Sequence, residues 1–455
     1  MKFRKKKGLV LGLYALLMVA LLSACASGNN AGSNAGNGSG SSANTNSSDT
    51  GKQQEQVTLT VLVNNLQTNL NMIDAIVPEF EKRYEHIKIE VDTYPAGGEG
   101  DNLIKTRLAT GDMADVFIYN SGSLLQALYP EHNILDLTNE PFQDRVLDAF
   151  KRSVNVNGKL YGVPFGATNV GGWLYNKKVF EQLGILVPKT WDELMANLET
   201  IKQSGTGITP VIGAYKDSWS AQMIILSDFY NVNAADPNFA DDYTANKAKY
   251  ATHPAALRSF QKLGDIVGYM NEDFLASTVD VGIAMLAEGR GAQFPIFTSQ
   301  INTLKQNHPD KMDDIGFFPT PSDSPDVNGL TIWMPWTAYI YKNTKNVEAA
   351  KTFLDFITSQ EGVNILQSAT TPTGPHLIRD AELPQDVPAL VKDLLPYFES
   401  EQLSPALEYL SPIKGPNLIN IVVEVGAGFR SPEEAAALYD SDVEKQAQQL
   451  GLEGW

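Results

Sequence analysis

The chain has 455 residues, a net charge of −18 and a single cysteine, Cys25. A field of that sign disfavours nucleic acid, anionic lipid surfaces and polyanionic ligands as partners. One cysteine excludes a disulfide within the chain and a metal site built on several cysteines. The five histidines are scattered without an HExxH pair, so we expect no metal and no other cofactor.

The N-terminus predicts a lipoprotein signal peptide over residues 1–24. Basic residues between 2 and 7 precede an apolar run at 8–22, which is shorter than the roughly 20 residues that span a bilayer. The sequence Leu22-Ser23-Ala24 before Cys25 resembles the lipobox of bacterial lipoproteins. We therefore expect a lipid on Cys25 that anchors the protein at the outer face of the cell membrane.

Residues 25–56 are predicted to be a flexible tether. They are dominated by Gly, Ser, Asn and Ala, with no aromatic or large apolar residue. Such a composition cannot bury enough apolar surface to offset the entropy lost on ordering.

Residues 57–455 form a segment that is too long for one ordinary hydrophobic core, so we expect two domains. Residues 57–63 form a β-branched run typical of a strand buried on both faces, and 87–91 and 115–119 indicate two further strands. The segments between these strands have apolar residues at helical spacing. Pro78 lies within the first of these segments, so the start of the first helix is not defined by the pattern. This alternation predicts an α/β fold with a parallel sheet and right-handed crossovers.

The most informative stretch is residues 161–194, YGVPFGATNVGGWLYNKKVFEQLGILVPKTWDEL. Its pattern YNK…F…G…P.TWDEL resembles bacterial extracellular solute-binding proteins of the maltose-binding-protein type, which serve ABC importers. Residues 108–120 and 282–297 resemble further segments of that family, and the resemblance covers 57–455. Within the stretch, Thr190 and Glu193 have the spacing of a capping box, which makes Trp191 a structural residue.

The resemblance implies a two-lobed, periplasmic-binding-protein-like fold, in which each lobe is a sheet flanked by helices. Three crossings would join the lobes, with the return crossing at 315–321 and the third at 371–373. The expected boundaries are 57–165 and 316–372 for the N-terminal lobe, and 166–315 and 373–455 for the C-terminal lobe.

The resemblance also implies a monomeric, non-enzymatic receptor. It would hold a sugar, expected to be an oligosaccharide, in the interlobe cleft and deliver it to ABC permease subunits. Tyr119 falls where the family has a cleft aromatic, and Asn169 falls where it has a carboxylate that accepts sugar hydroxyls.

Ligands of open α/β sheets lie beyond the carboxyl ends of the strands, and sugars need flat aromatic faces beside amides and carboxylates. These two rules select the candidate ligand-binding residues: Asn64, Asn65, Gln67, Glu99, Tyr119, Asn120, Asn169, Trp173, Asp217, Trp219, Phe294, Phe297, Trp333 and Trp336.

Each candidate also has a structural interpretation. Tyr119 closes a strand, Trp173 lies in an apolar run, and the asparagines near residue 64 are typical of a turn. One of Trp333 and Trp336, and one of Phe294 and Phe297, are expected in the core. Trp219 lies in a polar loop, which favours the cleft.

Two other functions stay open at this point. A cationic ligand such as a polyamine would be caged by aromatic faces and by acids such as Asp217 and Glu99. A secreted polysaccharide-acting enzyme would need a carboxylate pair placed across a glycosidic bond, which spacing in the sequence cannot show.

Overall fold

The computed structural model describes residues 56–95 and 98–455. The predicted signal peptide, Cys25 and the tether as far as residue 55 lie outside the described residues. Within the described part, no helix combines the length and the apolar character needed to cross a membrane.

Thirteen strands are present in the described residues. In chain order they are β1 (Val57–Asn64), β2 (Ile87–Tyr94), β3 (Val116–Tyr119), β4 (Asn155–Val156), β5 (Lys159–Leu160), β6 (Gly162–Phe165), β7 (Asn169–Asn176), β8 (Thr209–Val211), β9 (Gly291–Phe297), β10 (Ile315–Phe318), β11 (Leu330–Trp333), β12 (Trp336–Ile340) and β13 (Leu403–Pro405).

The α-helices of the described residues lie between and after these strands. In chain order they are α1 (Gln67–Arg83), α2 (Gly98–Thr110), α3 (Ser123–Gln126), α4 (Pro130–Asn133), α5 (Asp148–Val154), α6 (Lys177–Leu183), α7 (Trp191–Gln203), α8 (Met223–Leu226), α9 (Phe229–Ala235), α10 (Phe239–Thr244), α11 (Pro254–Ile266), α12 (Val279–Ala287), α13 (Ile301–Asn307), α14 (Val347–Ile357), α15 (Gln360–Ala369), α16 (Ala389–Lys392), α17 (Leu395–Glu399), α18 (Leu418–Gly426) and α19 (Pro432–Gln449).

The first lobe is built around a five-stranded sheet of order β2-β1-β3-β12-β6. The strands β2, β1 and β3 are parallel, as the alternating pattern predicts, while β12 runs antiparallel to both of its neighbours. Leu59, Val61, Leu62 and Val63 of β1 are fully buried, as expected of a strand that is covered on both faces. Helix α1 starts at Gln67 and continues through Pro78.

The second lobe is built around a mixed sheet of order β13-β11-β7-β9-β8, with β10 also paired to β7. The central strand β7 pairs with β9 on one side, and with β11 and then β10 on the other. The two-lobed α/β architecture expected from the sequence is confirmed.

Local predictions around α7 hold in part. The Thr190 hydroxyl accepts the Glu193 N–H at 3.2 Å, and Trp191 is fully buried. The Glu193 carboxylate, however, accepts the N–H of Lys189 at 2.7 Å, so the reciprocal bond of a capping box is missing here. Asn346 precedes α14 but makes no side-chain capping bond.

The chain crosses from the first sheet to the second at 166–168, between β6 and β7. The expected return at 315–321 is corrected by the structure, because β10 pairs with β7 from Ile315↔Asn176 onward. The chain returns only at Met334 and Pro335, between β11 and β12. We propose to move the second lobe boundary accordingly, and the other boundaries stay predictions.

The expected third crossing lies against the first one. The hydroxyl of Thr373 donates to the Thr168 carbonyl oxygen, and the hydroxyl of Thr168 donates to the Pro375 carbonyl oxygen, both at 2.8 Å. His376, the next residue, is buried, and this burial lowers the pKa of its imidazole to about 4.

This buried imidazole predicts a loss of stability on acidification. The unfolded chain takes up a proton at His376 as the pH falls below about 6.5, whereas the folded protein stays neutral there until about pH 4. Burial of neutral His376 therefore costs no stability above pH 6.5. Between pH 6.5 and pH 4 it lowers the free energy of unfolding by up to about 3 kcal/mol.

Urea unfolding of the wild type and His376→Gln across this pH window measures the effect. The substitution should flatten the difference between pH 6.5 and pH 4, and the exposed-site control His132→Gln should not. An unchanged pH dependence in His376→Gln would contradict the prediction.

Candidate functional site

The two crossings bring one edge of each sheet to the same gap. In the first sheet this edge holds the carboxyl ends of β1, β3 and β6 and the start of β12, since Trp336 pairs with Phe165 and Thr337 with Tyr119. In the second sheet it holds the start of β7 and the ends of β9 and β11. The candidate site is the cleft between these edges.

Three aromatic side chains form a continuous group at the second-lobe edge. The rings of Trp219 and Phe297 are nearly parallel, at 16°, with centroids 6.1 Å apart. Phe297 meets Trp333 edge to face, with centroids 4.5 Å apart. We call Trp219, Phe297 and Trp333 the aromatic cluster, and its first two members are only partly buried.

Backbone register explains why these distant residues meet. Trp333 pairs with Asn169, and Phe297 pairs with Gly171, so both rings lie at the same end of β7. A Cβ atom at Gly171 would lie 2.6 Å from the Trp333 ring. The glycine therefore makes room for the indole.

Two residues missed by the sequence argument hold Trp333 in place. The indole Nε1 of Trp333 donates to Glu408 Oε1 at 2.6 Å, and Lys414 lies 2.8 Å from the other oxygen of that carboxylate. Glu408 follows β13, which is far from β11 in the sequence but pairs with it in the second sheet. No spacing signal in the sequence relates Glu408 to Trp333.

At the first-lobe edge, Tyr119 is almost fully buried and its hydroxyl donates to Asp101 Oδ1 at 2.7 Å. Burial and this carboxylate both raise the pKa of Tyr119, so the phenol stays protonated. Asp101 lies in the first turn of α2. Asn120 is half-buried, and its carbonyl oxygen accepts the Tyr339 hydroxyl at 2.8 Å.

Asn169 and Trp336 stand where the chain crosses between the lobes. Both are half-buried. The side-chain oxygen of Asn169 is enclosed and has no hydrogen-bond partner among the described residues. An enclosed acceptor without a donor is costly, so a ligand hydroxyl in this position would satisfy it.

The structure corrects the expectation for Trp173 and Phe294. Trp173 is fully buried, with its ring stacked 5.9 Å from Phe318 and facing Trp191. Phe294 is 1 % exposed and packs against Gly282 of α12. Neither side chain reaches the cleft, because each points from its strand into a core layer.

The residues that follow β1 and β2 divide into two groups. Asn64 is fully buried, and its side-chain oxygen accepts the Leu66 N–H and the Asn69 amide, so it shapes the turn. Asn65, Gln67 and Glu99 are exposed. The structure brings none of these three into contact with the aromatic cluster.

Asp217 is already used by the protein. Its Oδ2 accepts the N–H of Val279 at 2.7 Å, at the first residue of α12. A carboxylate in this position satisfies an unpaired donor and complements the helix dipole.

Known proteins resemble this chain over most of its length. Residues 68–364, well over half of the chain, match the family model described as bacterial extracellular solute-binding protein. The multiple sugar-binding protein of Streptococcus mutans is 26% identical over 375 residues, which cover 79% of this chain and 80% of that protein. The melibiose/raffinose/stachyose-binding protein MelE of Bacillus subtilis is 27% identical over 377 residues, covering 78% and 82%.

Solved structures share the fold. The apo form of RafE from Streptococcus pneumoniae superposes with a TM-score of 0.72 at 21% identity, covering 85% of this chain and 98% of that one.

The role of Asp217 can be tested by Asp217→Ala. We expect the free energy of unfolding to fall by about 1 kcal/mol because the Val279 N–H loses its acceptor. Affinity for the ligand should stay within about twofold, which is roughly 0.4 kcal/mol. Asp326→Ala, at an exposed position, is the control for urea unfolding. A large fall in affinity with unchanged stability would instead show that Asp217 contacts the ligand.

Proposed function

The chain belongs to the bacterial extracellular solute-binding protein family, and we propose that it captures a carbohydrate in the interlobe cleft. The observation that carries the proposal is the aromatic cluster at the second-lobe edge, opposite the polar groups of the first lobe. Flat ring faces pack on the C–H surface of a sugar ring, while amides and carboxylates bond its hydroxyls.

The names of the relatives support the ligand class. The Streptococcus mutans relative is named for binding multiple sugars and the Bacillus subtilis relative for melibiose, raffinose and stachyose. These statements concern those proteins. For this chain they agree with a cleft that offers partly exposed aromatic faces.

In this mechanism the sugar first rests on Trp219 and Phe297. The crossings then let the first lobe rotate toward it, so that Asn120 and Trp336 close on the other side, while Asn169 at the start of β7 bonds a sugar hydroxyl. The closed state is stabilised only by contacts with the ligand that the open state lacks. No bond is made or broken, and the ligand leaves unchanged.

Several finer features complete the proposal. The ligand is an oligosaccharide, and the closed form delivers it to the permease subunits of an ABC importer. The protein acts as a monomer at the outer face of the membrane, held by a lipid on Cys25. The lipobox and the polar tether of the sequence support this anchoring.

A polyamine receptor has less support from the geometry. A cation cage needs free carboxylates beside aromatic faces. Asp217 is bonded to the start of α12, Asp101 to Tyr119, and Glu408 to Trp333 and Lys414. These acids hold the scaffold together and leave the rings to a neutral ligand.

Calorimetry with purified protein tests the proposal. Titration with melibiose, raffinose, stachyose, maltotriose and xylotriose should give saturable heat for at least one of them, with no new reducing ends released. Trp219→Ala should weaken that binding by about 30-fold, roughly 2 kcal/mol, because the flat face is lost.

Trp455→Ala is the matched control, since this indole is bonded to the Thr244 carbonyl oxygen rather than to the cleft. Equal effects of the two substitutions, or no heat with any saccharide, would contradict the proposed function.

A further inference from the structure

A cavity of about 550 Å³ lies between the two lobes, and its lining contains no member of the aromatic cluster. Its polar lining comes from both lobes: Gln126, Arg152 and Asn155 from the first, and Asn233, Asp241 and Tyr409 from the second. We call it the side cavity. Its volume lies within the range of about 300–1,000 Å³ that is typical of small-molecule sites.

The lining of the side cavity contains one close contact between the lobes, and both of its residues lie near cleft residues along the chain. Gly122 is three residues beyond Tyr119, and Tyr409 directly follows Glu408, the partner of Trp333. A Cβ atom at Gly122 would lie 2.6 Å from the Tyr409 Cα. With its φ of +67°, Gly122 is also a position that only glycine adopts without strain.

Arg152, on α5, enters the cavity with most of its donors free. Its only hydrogen bond within the described residues runs from Nη2 to the Leu403 carbonyl oxygen at 3.4 Å. The neighbouring carboxylate, Asp148, is held by Lys151 and Arg379, each at 3.4 Å. Surrounding protein lowers the pKa of Arg152, yet its side chain stays accessible because the cavity is open.

Asp241, on α10 of the second lobe, is the complement of Arg152. Its side chain is exposed and makes no hydrogen bond or ion pair with the described residues. The two groups line one cavity from opposite lobes without reaching each other. The charges in the lining, Asp148 and Asp241 against Lys151 and Arg152, cancel.

We propose that the side cavity holds a further glycosyl unit of the ligand, bonded by Arg152 from the first lobe and by Asp241 from the second. This inference rests on the proposed function and specifies the ligand: a saccharide long enough to extend from the aromatic cluster past Tyr409. A sugar hydroxyl both donates and accepts, so one neutral unit satisfies a guanidinium and a carboxylate together.

A ladder of chain lengths tests the inference. The wild type, Arg152→Gln and Asp241→Asn are titrated with melibiose, raffinose and stachyose, and with maltose, maltotriose and maltotetraose. In the wild type, one added unit should raise the affinity about tenfold. Each substitution should abolish that gain and leave the shorter ligand within about twofold of the wild type.

Arg107→Gln, which removes a surface arginine paired with Asp92 at 2.7 Å, is the control and should leave every step of the ladder unchanged. Melting temperatures should match the wild type in all three variants, because the substituted groups are solvent-accessible or surface-paired.

Two results would overturn the inference while leaving the proposed function intact. One is that the affinity of the wild type does not rise with the length of the saccharide. The other is an equal loss at every chain length, which would show that Arg152 and Asp241 pair with each other across the closed lobes. The absence of binding by every saccharide would instead refute the proposed function, and the inference with it.

Discussion

The constraint on which the rest of the structure depends is that the chain passes between its two sheets within a few residues. Residues 166–168 lead from β6 into β7, and Met334 and Pro335 lead from β11 back into β12. Because these links are so short, the strand ends that they join must face one gap. The cleft is therefore a consequence of connectivity, and any side chain at those strand ends is placed in it.

In the same region the acidic side chains and the aromatic rings have different roles. One carboxylate oxygen of each of Asp101, Asp217 and Glu408 accepts a hydrogen bond from a donor of the protein itself, at 2.6 to 2.7 Å. These bonds fix Tyr119, the start of α12 and Trp333. The ring faces of Trp219 and Phe297 stay partly open. A rigid apolar platform with polar groups opposite it suits a ligand that has both C–H faces and hydroxyls.

The buried contacts at the crossings link this geometry to stability. Thr168 in the first crossing is hydrogen-bonded to Thr373 and Pro375 through backbone carbonyl oxygens, next to the enclosed imidazole of His376. Such contacts hold these segments together, and in the proposed mechanism the lobes change their separation around them. Hinges are expected to absorb such motion over a few residues at element ends.

Much of the first lobe could be predicted from the sequence alone. The β-branched run at 57–63 and the alternation with helices identified three parallel strands, because burial on both faces leaves a continuous apolar signal. The Thr190 cap and the buried Trp191 were equally local. The position of the return crossing could not be predicted from local sequence. The apolar runs at 315–318 and 330–333 could form strands of either sheet, and only their pairing with β7 assigns them to the second sheet.

The sequence by itself determined the fold class, the two-lobed organisation and a pool of aromatic and polar residues at strand ends. Periodicity indicates the fold class directly, whereas the two lobes are what the resemblance of the short motifs to a known family implies. Only the tertiary structure separated Trp219, Phe297 and Trp333, which meet at one edge, from Trp173 and Phe294, which lie in the core. For the four residues on strands the physical reason is register: a side chain faces cleft or core according to how its strand pairs, and the pairing partner lies more than a hundred residues away.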